Sequence, residues 1–385
     1  MPKVYIKTFG CQMNDRDSEA LAGLLLERGY TFVRDPKEAD IILVNTCSVR
    51  KHAEDRAISF IGRFKKPKLT NKKLKVIGLL GCMARNRGEE LFKRMKHIDL
   101  VVGPANFDKI PQYIETIRKI RSYSPSTNNR IIDIEDRKRP EDFYHSSFRA
   151  ENNHAQVIIS TGCSNRCSYC VVPFVRGPLR LRTPEDIIEE VRRNVKLGIK
   201  KITLLGQNVN DYKYQASSLK YQVDFVKLLK MVEEVKEIEE IDFITAHPKN
   251  TSKELFEFMA NSKKIKKHLH LPFQSGSNRI LRLMNRGYTK EDYLNLVREY
   301  KEIVGGSLST DVIVGFPAEK EEDFLHTKDV LEKVKFKYAY IFKYSSRPNT
   351  LAAKLKDDIP LKEKERRHKI LLDLQKSISL DFDND

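Results

Sequence analysis

Three cysteines at C-x-x-x-C-x-x-C spacing, Cys163, Cys167 and Cys170, follow directly on the apolar run Val157 to Ile159. No other stretch limits so tightly what the chain can fold into. The apolar run reads as a buried strand, and the loop Ser160-Thr-Gly-Cys163-Ser-Asn-Arg-Cys167-Ser-Tyr-Cys170 can then curl until three thiolates meet at one point. Three soft ligands this close suit an iron–sulfur cluster. A four-iron core on three cysteines leaves one iron without a protein ligand, and an open position separates a reactive metal centre from a structural one. A zinc knuckle, or a disulfide with a spare thiol, competes with this reading. Zinc usually takes four ligands, however, and the nearest histidine in sequence is His154.

The other three cysteines lie far apart but share one local context. Val4 to Gly10 leads into Cys11, Ile41 to Thr46 into Cys47, and Val76 to Gly81 into Cys82. Each apolar run is followed by a helix-like pattern: Asp15 to Arg28, Ala53 to Gly62, and Gly88 to Met95. Alternation of this kind builds a parallel sheet whose loops at the carboxyl ends of the strands form the ligand-binding edge. All three thiols are therefore expected on that edge, where they can hold a second cluster. The bland alternative is three small buried hydrophobes.

The start, Met1-Pro-Lys-Val-Tyr-Ile-Lys-Thr-Phe-Gly, has no signal-peptide core, and no apolar run approaches the ~20 residues of a bilayer span. A cytoplasmic protein with no membrane association is expected, in which cysteines serve metals more often than disulfides. Lys plus Arg number 71 against 53 Asp plus Glu, a formal +18. That excess favours a polyanionic partner, nucleic acid ahead of a membrane, over a merely solvated surface. At 385 residues the chain has room for two domains. The boundaries expected are 1–120 for the first, 121–150 for a linker with a short strand at Ile131 to Ile134, and 151–380 for the second.

From Thr183, an N-cap before Pro184, the pattern alternates helix and strand. Strands are expected at Lys201 to Leu205, Ile241 to Ala246, Lys267 to Leu271, Leu308 to Val314 and Tyr338 to Lys343. With the strand before Cys163 this makes about six βα units, a partial six-stranded β/α barrel with its site at the carboxyl ends of the strands. Gly206 to Asn210, Ala246-His247-Pro248, Pro272 to Ser277, Gly315-Phe-Pro317 and Tyr344 to Arg347 stand at those ends. Arg176, Arg180 and Arg182 are candidates for a carboxylate or phosphate, against a solvated-surface alternative. His247 reads first as a satisfied core histidine.

The three-cysteine loop, with Tyr169 before its last cysteine, resembles the cluster motif of the radical S-adenosylmethionine (SAM) enzymes. Phe9-Gly-Cys11-Gln-Met-Asn14, Asn45-Thr-Cys47-Ser-Val-Arg50 and Gly81-Cys82-Met-Ala84 look like the amino-terminal domain of the methylthiotransferases within that superfamily. Leu205 to Asn210, His270 to Ser277, Asp311 to Pro317 and Lys343 to Pro348 look like successive blocks of their radical SAM domain. The resemblance covers nearly the whole chain. It implies a flavodoxin-like α/β domain followed by a partial (β/α)6 radical SAM barrel. It also implies two 4Fe–4S clusters, one on Cys163, Cys167 and Cys170 that binds SAM and one on Cys11, Cys47 and Cys82. Gly206 and Gln207 would line the amino-acid end of SAM, and Gln274, Ser275 and Gly315 its nucleoside.

Gly10 to Asn14 and the block Cys170-Val-Val-Pro-Phe-Val-Arg-Gly177 look most like the MiaB-type branch, which acts on isopentenyladenosine in tRNA. The other branches act on threonylcarbamoyladenosine in tRNA or on an aspartate of a ribosomal protein. The implied reaction is radical methylthiolation of N6-isopentenyladenosine at position 37 of tRNA, with a base flipped out of the anticodon arm. The implied partners are that arm, with Lys263, Lys264, Lys266 and Lys267 as candidate contacts, and an electron donor such as flavodoxin or ferredoxin. A monomer is expected. Three departures from the family stand out. Most members continue into a small β-barrel RNA-binding module, TRAM, which is expected to be absent here, because the chain stops soon after a helix at Lys362 to Leu380. Ala318 and Asn349 stand where the family has glycine. A rival of another class is a non-catalytic RNA-binding protein that keeps its clusters for structure.

Overall fold

The computed structural model describes residues 1–70, 74–124, 129–146, 148–151, 153–215 and 222–383, so parts of the expected linker (125–128 and 147) lie outside the described residues. Packing divides the chain into two compact units. The first comprises residues 1–163 and 172–199, and the second residues 164–171 and 200–385. This line differs from the 1–120, 121–150 and 151–380 expected from the sequence. Within the first unit, the strand His154–Ile158 packs on the helix Gln12–Glu27, the helix Pro184–Lys196 on that strand, and the helix Val172–Arg176 on the helix Cys82–Arg94.

In the first unit the elements run β1 (Lys3–Phe9), α1 (Gln12–Glu27), β2 (Thr31–Phe32), β3 (Ile41–Thr46), α2 (Lys51–Gly62), α3 (Lys65–Thr70), β4 (Val76–Gly81) and α4 (Cys82–Arg94). β5 (Leu100–Val102), α5 (Ile110–Tyr123), β6 (Ile131–Asp133), β7 (His154–Ile158), β8 (Ser160–Thr161), α6 (Val172–Arg176), β9 (Arg180–Leu181) and α7 (Pro184–Lys196) follow. The main sheet has the order β2-β1-β3-β4-β5-β6 and is parallel throughout. This is the flavodoxin-like order with one more edge strand. β3 and β4 are buried along their whole length, as expected of central strands covered by helices on both faces. One core cluster joins Ile42, Val44, Ile77 and Leu79 of those strands to Ala57 and Ile61 of α2 and to Met83 and Leu91 of α4. Each of the Ile, Val, Leu and Met side chains among them contributes about 1.5–3 kcal/mol on burial.

The second unit carries β10 (Lys201–Leu205), β11 (Lys213–Gln215), β12 (Gln222–Asp224), α8 (Phe225–Glu233), β13 (Glu240–Ile244), α9 (Lys253–Asn261) and β14 (His268–His270). It continues through α10 (Asn278–Leu283), α11 (Lys290–Ile303), β15 (Ser307–Val314), α12 (Glu321–Val334), β16 (Tyr338–Lys343) and α13 (Leu361–Asp383). β10 pairs in parallel with β13, Ile241 of β13 bridges in parallel to Ile265 just before β14, and β14, β15 and β16 pair in parallel in turn. Five consecutive strands thus follow the βα rhythm of a barrel wall. The antiparallel β11–β12 hairpin was not expected, since its strands are only three residues each. Thr183 caps α7 as the sequence predicts, and Thr289 caps α11 in the same way.

Candidate cluster and cofactor sites

In the first unit the sheet register brings Cys11, Cys47 and Cys82 to one height. Phe9 of β1 lies opposite Thr46 of β3, and Thr46 opposite Gly81 of β4. The cysteines follow that row by two, one and one residues, at the carboxyl ends of neighbouring strands. β1 and β3 flank the point where strand order reverses, the usual place for a ligand in an open parallel sheet. The Cys47 N–H donates to the Phe9 carbonyl at 2.9 Å, which fixes the loop against the first strand. Cys82 opens α4 as its first residue, six residues before the helix start read from the sequence, and Cys11 caps α1.

The residues beside the cysteines hold this edge in shape. Asn14 Nδ2 donates to Asn45 Oδ1 at 3.0 Å, and Asn45 Nδ2 donates to the Asn14 carbonyl at 2.8 Å and to Ser18 Oγ at 2.9 Å. A Cβ at Gly81 would stand 2.2 Å from Asn45 Oδ1, and φ there is +88°, so only glycine fits. The Cys11 thiol hydrogen bonds to Cys47, which, with Arg176 acting against burial, pulls its pKa down to about 5. Cys47 is pushed up by the same hydrogen bond and by burial, and Cys82 is pushed up mainly by burial. None of the six cysteines forms a disulfide.

Buried charge completes the edge. Arg176 Nε donates to Cys82 Sγ at 3.3 Å while its Nη2 holds Asp17 at 2.9 Å. Arg139 and the Tyr144 hydroxyl hold the other oxygen of Asp17, at 2.8 and 2.9 Å. Two guanidiniums thus share one fully buried carboxylate, leaving a positive charge directed at the thiols. An anionic iron–sulfur core fits that excess, since a buried charge needs a counter-charge. Among the described residues no three His, Cys, Asp or Glu side chains are close enough to grip a single metal ion. A multi-iron core spreads its thiolates wider than the ~2.3 Å bonds of one zinc ion do.

Cys163 ends the first unit's share of the other cysteine loop. Gly162 before it has φ +74°, and a Cβ there would stand 2.0 Å from the Pro178 carbonyl, because the antiparallel pair β8–β9 brings the returning chain alongside. Cys167 and Cys170 belong to the second unit, where they share a turn closed by Cys170 N–H to the Cys167 carbonyl at 3.0 Å. Ser168 between them donates from N to the Met284 carbonyl at 2.9 Å and from Oγ to the Leu283 carbonyl at 2.7 Å. Tyr169 packs against Ile280, Met284, Phe316, Tyr344 and Ala352. Arg286, which no local pattern singles out, donates to Cys167 Sγ at 3.4 Å.

The candidate SAM contacts stand at the strand ends of the second unit. Gly206 N–H donates to the Ile244 carbonyl at 3.0 Å, and the amide oxygens of Gln207 and Asn208 are buried without a hydrogen-bond partner. His247 Nδ1 accepts from Lys249 N–H at 3.2 Å, so the ring proton sits on Nε2, which is also buried and unpartnered. Burial first, then Arg286 and Lys249, pushes its pKa down to about 2, and the ring stays neutral. It is therefore not the satisfied core histidine expected. Gln274 takes φ +68°, a left-handed backbone that a non-glycine residue holds only under constraint. The Ser275 hydroxyl already meets Thr327 Oγ1 at 3.4 Å and Ser277 N–H at 3.3 Å. Gly315 has φ +69° and its open side is filled by the Lys364 stem, 2.4 Å from where a Cβ would be.

Several charged candidates turn out to be occupied. Arg180 makes a two-pronged pair with Asp136 at 2.9 and 2.8 Å, and Arg182 holds Asp186 and Glu190 at 2.6 and 2.5 Å. With Arg176 on Asp17, all three arginines after the cysteine loop find carboxylates inside the first unit. Lys264 donates to the Glu233 and Val235 carbonyls, Lys267 to those of Ala260 and Ser262, and Lys266 to Asp242. Two of these lysines close helix ends, where a cation meets the last carbonyls.

Two family descriptions match the chain: Uncharacterized protein family UPF0004 over residues 3–103, and Radical SAM superfamily over residues 157–331. The chain is 42% identical to the tRNA-2-methylthio-N(6)-dimethylallyladenosine synthase of Dictyoglomus thermophilum, over 98% of this chain and 83% of that one. The same-named protein of Acetivibrio thermocellus is 42% identical over 99% and 78%, and that of Thermotoga petrophila 41% over 98% and 82%. Among solved structures, the radical SAM methyltransferase TsrM of Kitasatospora setae, with cobalamin and a [4Fe-4S] cluster bound, aligns with TM-score 0.62 at 13% identity, over 91% of this chain and 74% of that one. The cobalamin-dependent SAM radical enzyme OxsB aligns with TM-score 0.56 at 13% identity, over 99% and 56%. At such identities the likeness is one of fold. No helix among the described residues is long and apolar enough to cross a membrane.

Proposed function

Since the chain belongs to the tRNA-2-methylthio-N(6)-dimethylallyladenosine synthases, a family of radical SAM methylthiotransferases, we propose that it methylthiolates carbon 2 of N6-isopentenyladenosine at position 37 of tRNA. The observation that carries this is identity of about 42% running through both halves of the chain. Two separate sets of strand-end cysteines support it. An adenine C2–H bond is unactivated, and acid–base groups of ordinary strength do not open it.

We assign Cys163, Cys167 and Cys170 to a 4Fe–4S cluster that meets SAM, and Cys11, Cys47 and Cys82 to a second. When bound, the first supplies the electron that cleaves SAM and the second holds the sulfur to be transferred. The chain's own residues supply the frame. Asn14, Asn45 and Gly81 fix the edge of the second site, and Asp17, Arg139 and Arg176 provide its counter-charge. At the SAM side, Gly206, Gln207, Gln274, Ser275 and Gly315 remain the proposed contacts. The open amide oxygens of Gln207 and Asn208 offer acceptors, and the neutral His247 Nε2–H offers a donor. Such buried unpaired groups are uncommon in a settled interior and fit a missing polar ligand. The anticodon arm of tRNA and a low-potential donor such as flavodoxin or ferredoxin complete the reading, acting on a monomer in the cytoplasm.

Mass spectrometry of tRNA nucleosides from a strain lacking this gene tests the proposal. The expected outcome is loss of 2-methylthio-N6-isopentenyladenosine with accumulation of the unthiolated nucleoside. An unchanged level, or loss of the threonylcarbamoyl counterpart instead, rejects it. Anaerobic incubation of the reconstituted protein with SAM and dithionite should release 5′-deoxyadenosine, which a purely structural iron–sulfur protein would not.

A further inference from the structure

Arg286 is drawn into the interior of the second unit by a turn after α10, in which Asn285 has φ +55° and Gly287 φ +71°. Only about 5% of the residue is exposed. Its Nη1 donates to Cys167 Sγ at 3.4 Å and to the Tyr169 hydroxyl at 3.3 Å. Its Nη2 donates to the Pro272 carbonyl at 2.9 Å, and Nε to the Tyr288 hydroxyl at 2.9 Å. Every one of these partners is neutral, the thiol included until it gives up its proton to a metal. Among the described residues no carboxylate pairs with it, whereas the buried Arg16, Arg176 and Arg367 hold Glu190, Asp17 and Glu319 respectively. A guanidinium cannot shed its proton, so a buried one without a counter-ion is strongly unfavourable.

That imbalance is resolved when Cys167 is a thiolate in a cluster. We propose that Arg286 is a positioning residue whose charge sets the reduction potential of the iron–sulfur centre on Cys163, Cys167 and Cys170. The inference rests on the cluster assignment made above. In the step concerned, one electron from an external reductant enters the centre, and no bond or proton moves. The centre gains one negative charge, and a fixed cation bonded to a ligand sulfur in a poorly polarisable interior favours that reduced form. Removing the cation must therefore lower the potential. A merely structural tie between the cysteine loop and Pro272 would leave it unchanged.

The test uses the full chain with Cys11, Cys47 and Cys82 replaced by alanine, reconstituted anaerobically so that only one site can carry iron. Iron and sulfide are counted, and the potential is read by electron paramagnetic resonance during a dithionite titration. Arg286→Lys keeps the charge, Arg286→Gln removes it, and Tyr288→Phe loosens the network without altering charge. R286Q is expected to lose at least tenfold in the equilibrium constant for reduction, a shift of 59 mV for one electron. R286K and Y288F should stay near the parent. An unchanged potential in R286Q, or an equal shift in Y288F, overturns the proposal. If R286Q takes up no iron while R286K does, the charge serves assembly of the centre instead of its potential, and the proposal falls. If both fail while Y288F succeeds, Arg286 is a structural tie and the proposal falls. A parent that binds no iron rejects the cluster assignment itself, and the inference with it.

Discussion

Ala318 holds a left-handed backbone, φ +64°, because its N–H must reach Asp358 Oδ1 at 2.8 Å while its carbonyl accepts from Arg279. An alanine there is disfavoured by about 1–2 kcal/mol, the reason glycine suits this position. Ala318→Gly is expected to raise stability by about 0.5–1 kcal/mol, the relief being reduced by glycine's greater freedom when unfolded. Asn349, at φ +68°, tolerates that region better, so Asn349→Gly should gain less. A shift of the urea midpoint at constant slope reads both, and a lower midpoint for A318G contradicts the argument. Asp17 acts in the opposite direction. Asp17→Asn leaves Arg139 and Arg176 buried with no carboxylate between them, and losing one partner of a buried pair costs about 3–5 kcal/mol.

At the scale of elements, the strand ends decide where chemistry can sit. A strand followed at once by a helix forces a tight exit, and β4 leaves through Gly81 directly into α4. Gly81→Ala should push Asn45 away and open the row formed by Phe9, Thr46 and the glycine. In a chain whose Cys163, Cys167 and Cys170 are alanine, iron uptake at the remaining site should fall well below the about four atoms expected of one cluster; full uptake by G81A would show the turn to be dispensable. The cysteine positions were legible in the sequence because apolar runs fix strands and strands fix their ends. The start of α4 was not. Arg85, Asn86 and Arg87 fill its first turns with polar side chains, and these are consumed by Phe174, Ile134, Ser48 and Glu54. No local pattern reports such partners. For the same reason Arg176, Arg180 and Arg182 read as open cations although each meets a carboxylate, and Arg286 gave no local sign at all. Burial of a charge is a tertiary fact.

Over the whole molecule, acid should act through two distinct charge effects. Burial alone would raise Asp17 and Glu190, but Arg139 and Arg176 hold the first below the usual carboxylate range, and Arg182, Arg16 and Arg149 hold the second there. A depressed folded pKa adds stability that is fully present above the unfolded value of about 4 and is lost as pH falls through the folded value. The second effect is global. The formal charge of +18 near neutrality grows as surface carboxylates protonate, and the excess repels itself. Salt separates the two, because exposed charges are screened beyond about 8 Å at physiological strength while buried pairs are screened far less. Urea midpoints at pH 7 and at a pH below the carboxylate range, each at low and high salt, should therefore show a loss in acid that salt restores only in part. Hydrogen exchange places the unrestored part: the amides of α1 and α7, which carry Asp17 and Glu190, should stay labile in acid at high salt. In D17N the residual acid loss should shrink, since one of the two depressed carboxylates is gone. Complete recovery by salt in the parent chain would mean that these buried networks contribute nothing to acid lability and that surface repulsion accounts for all of it.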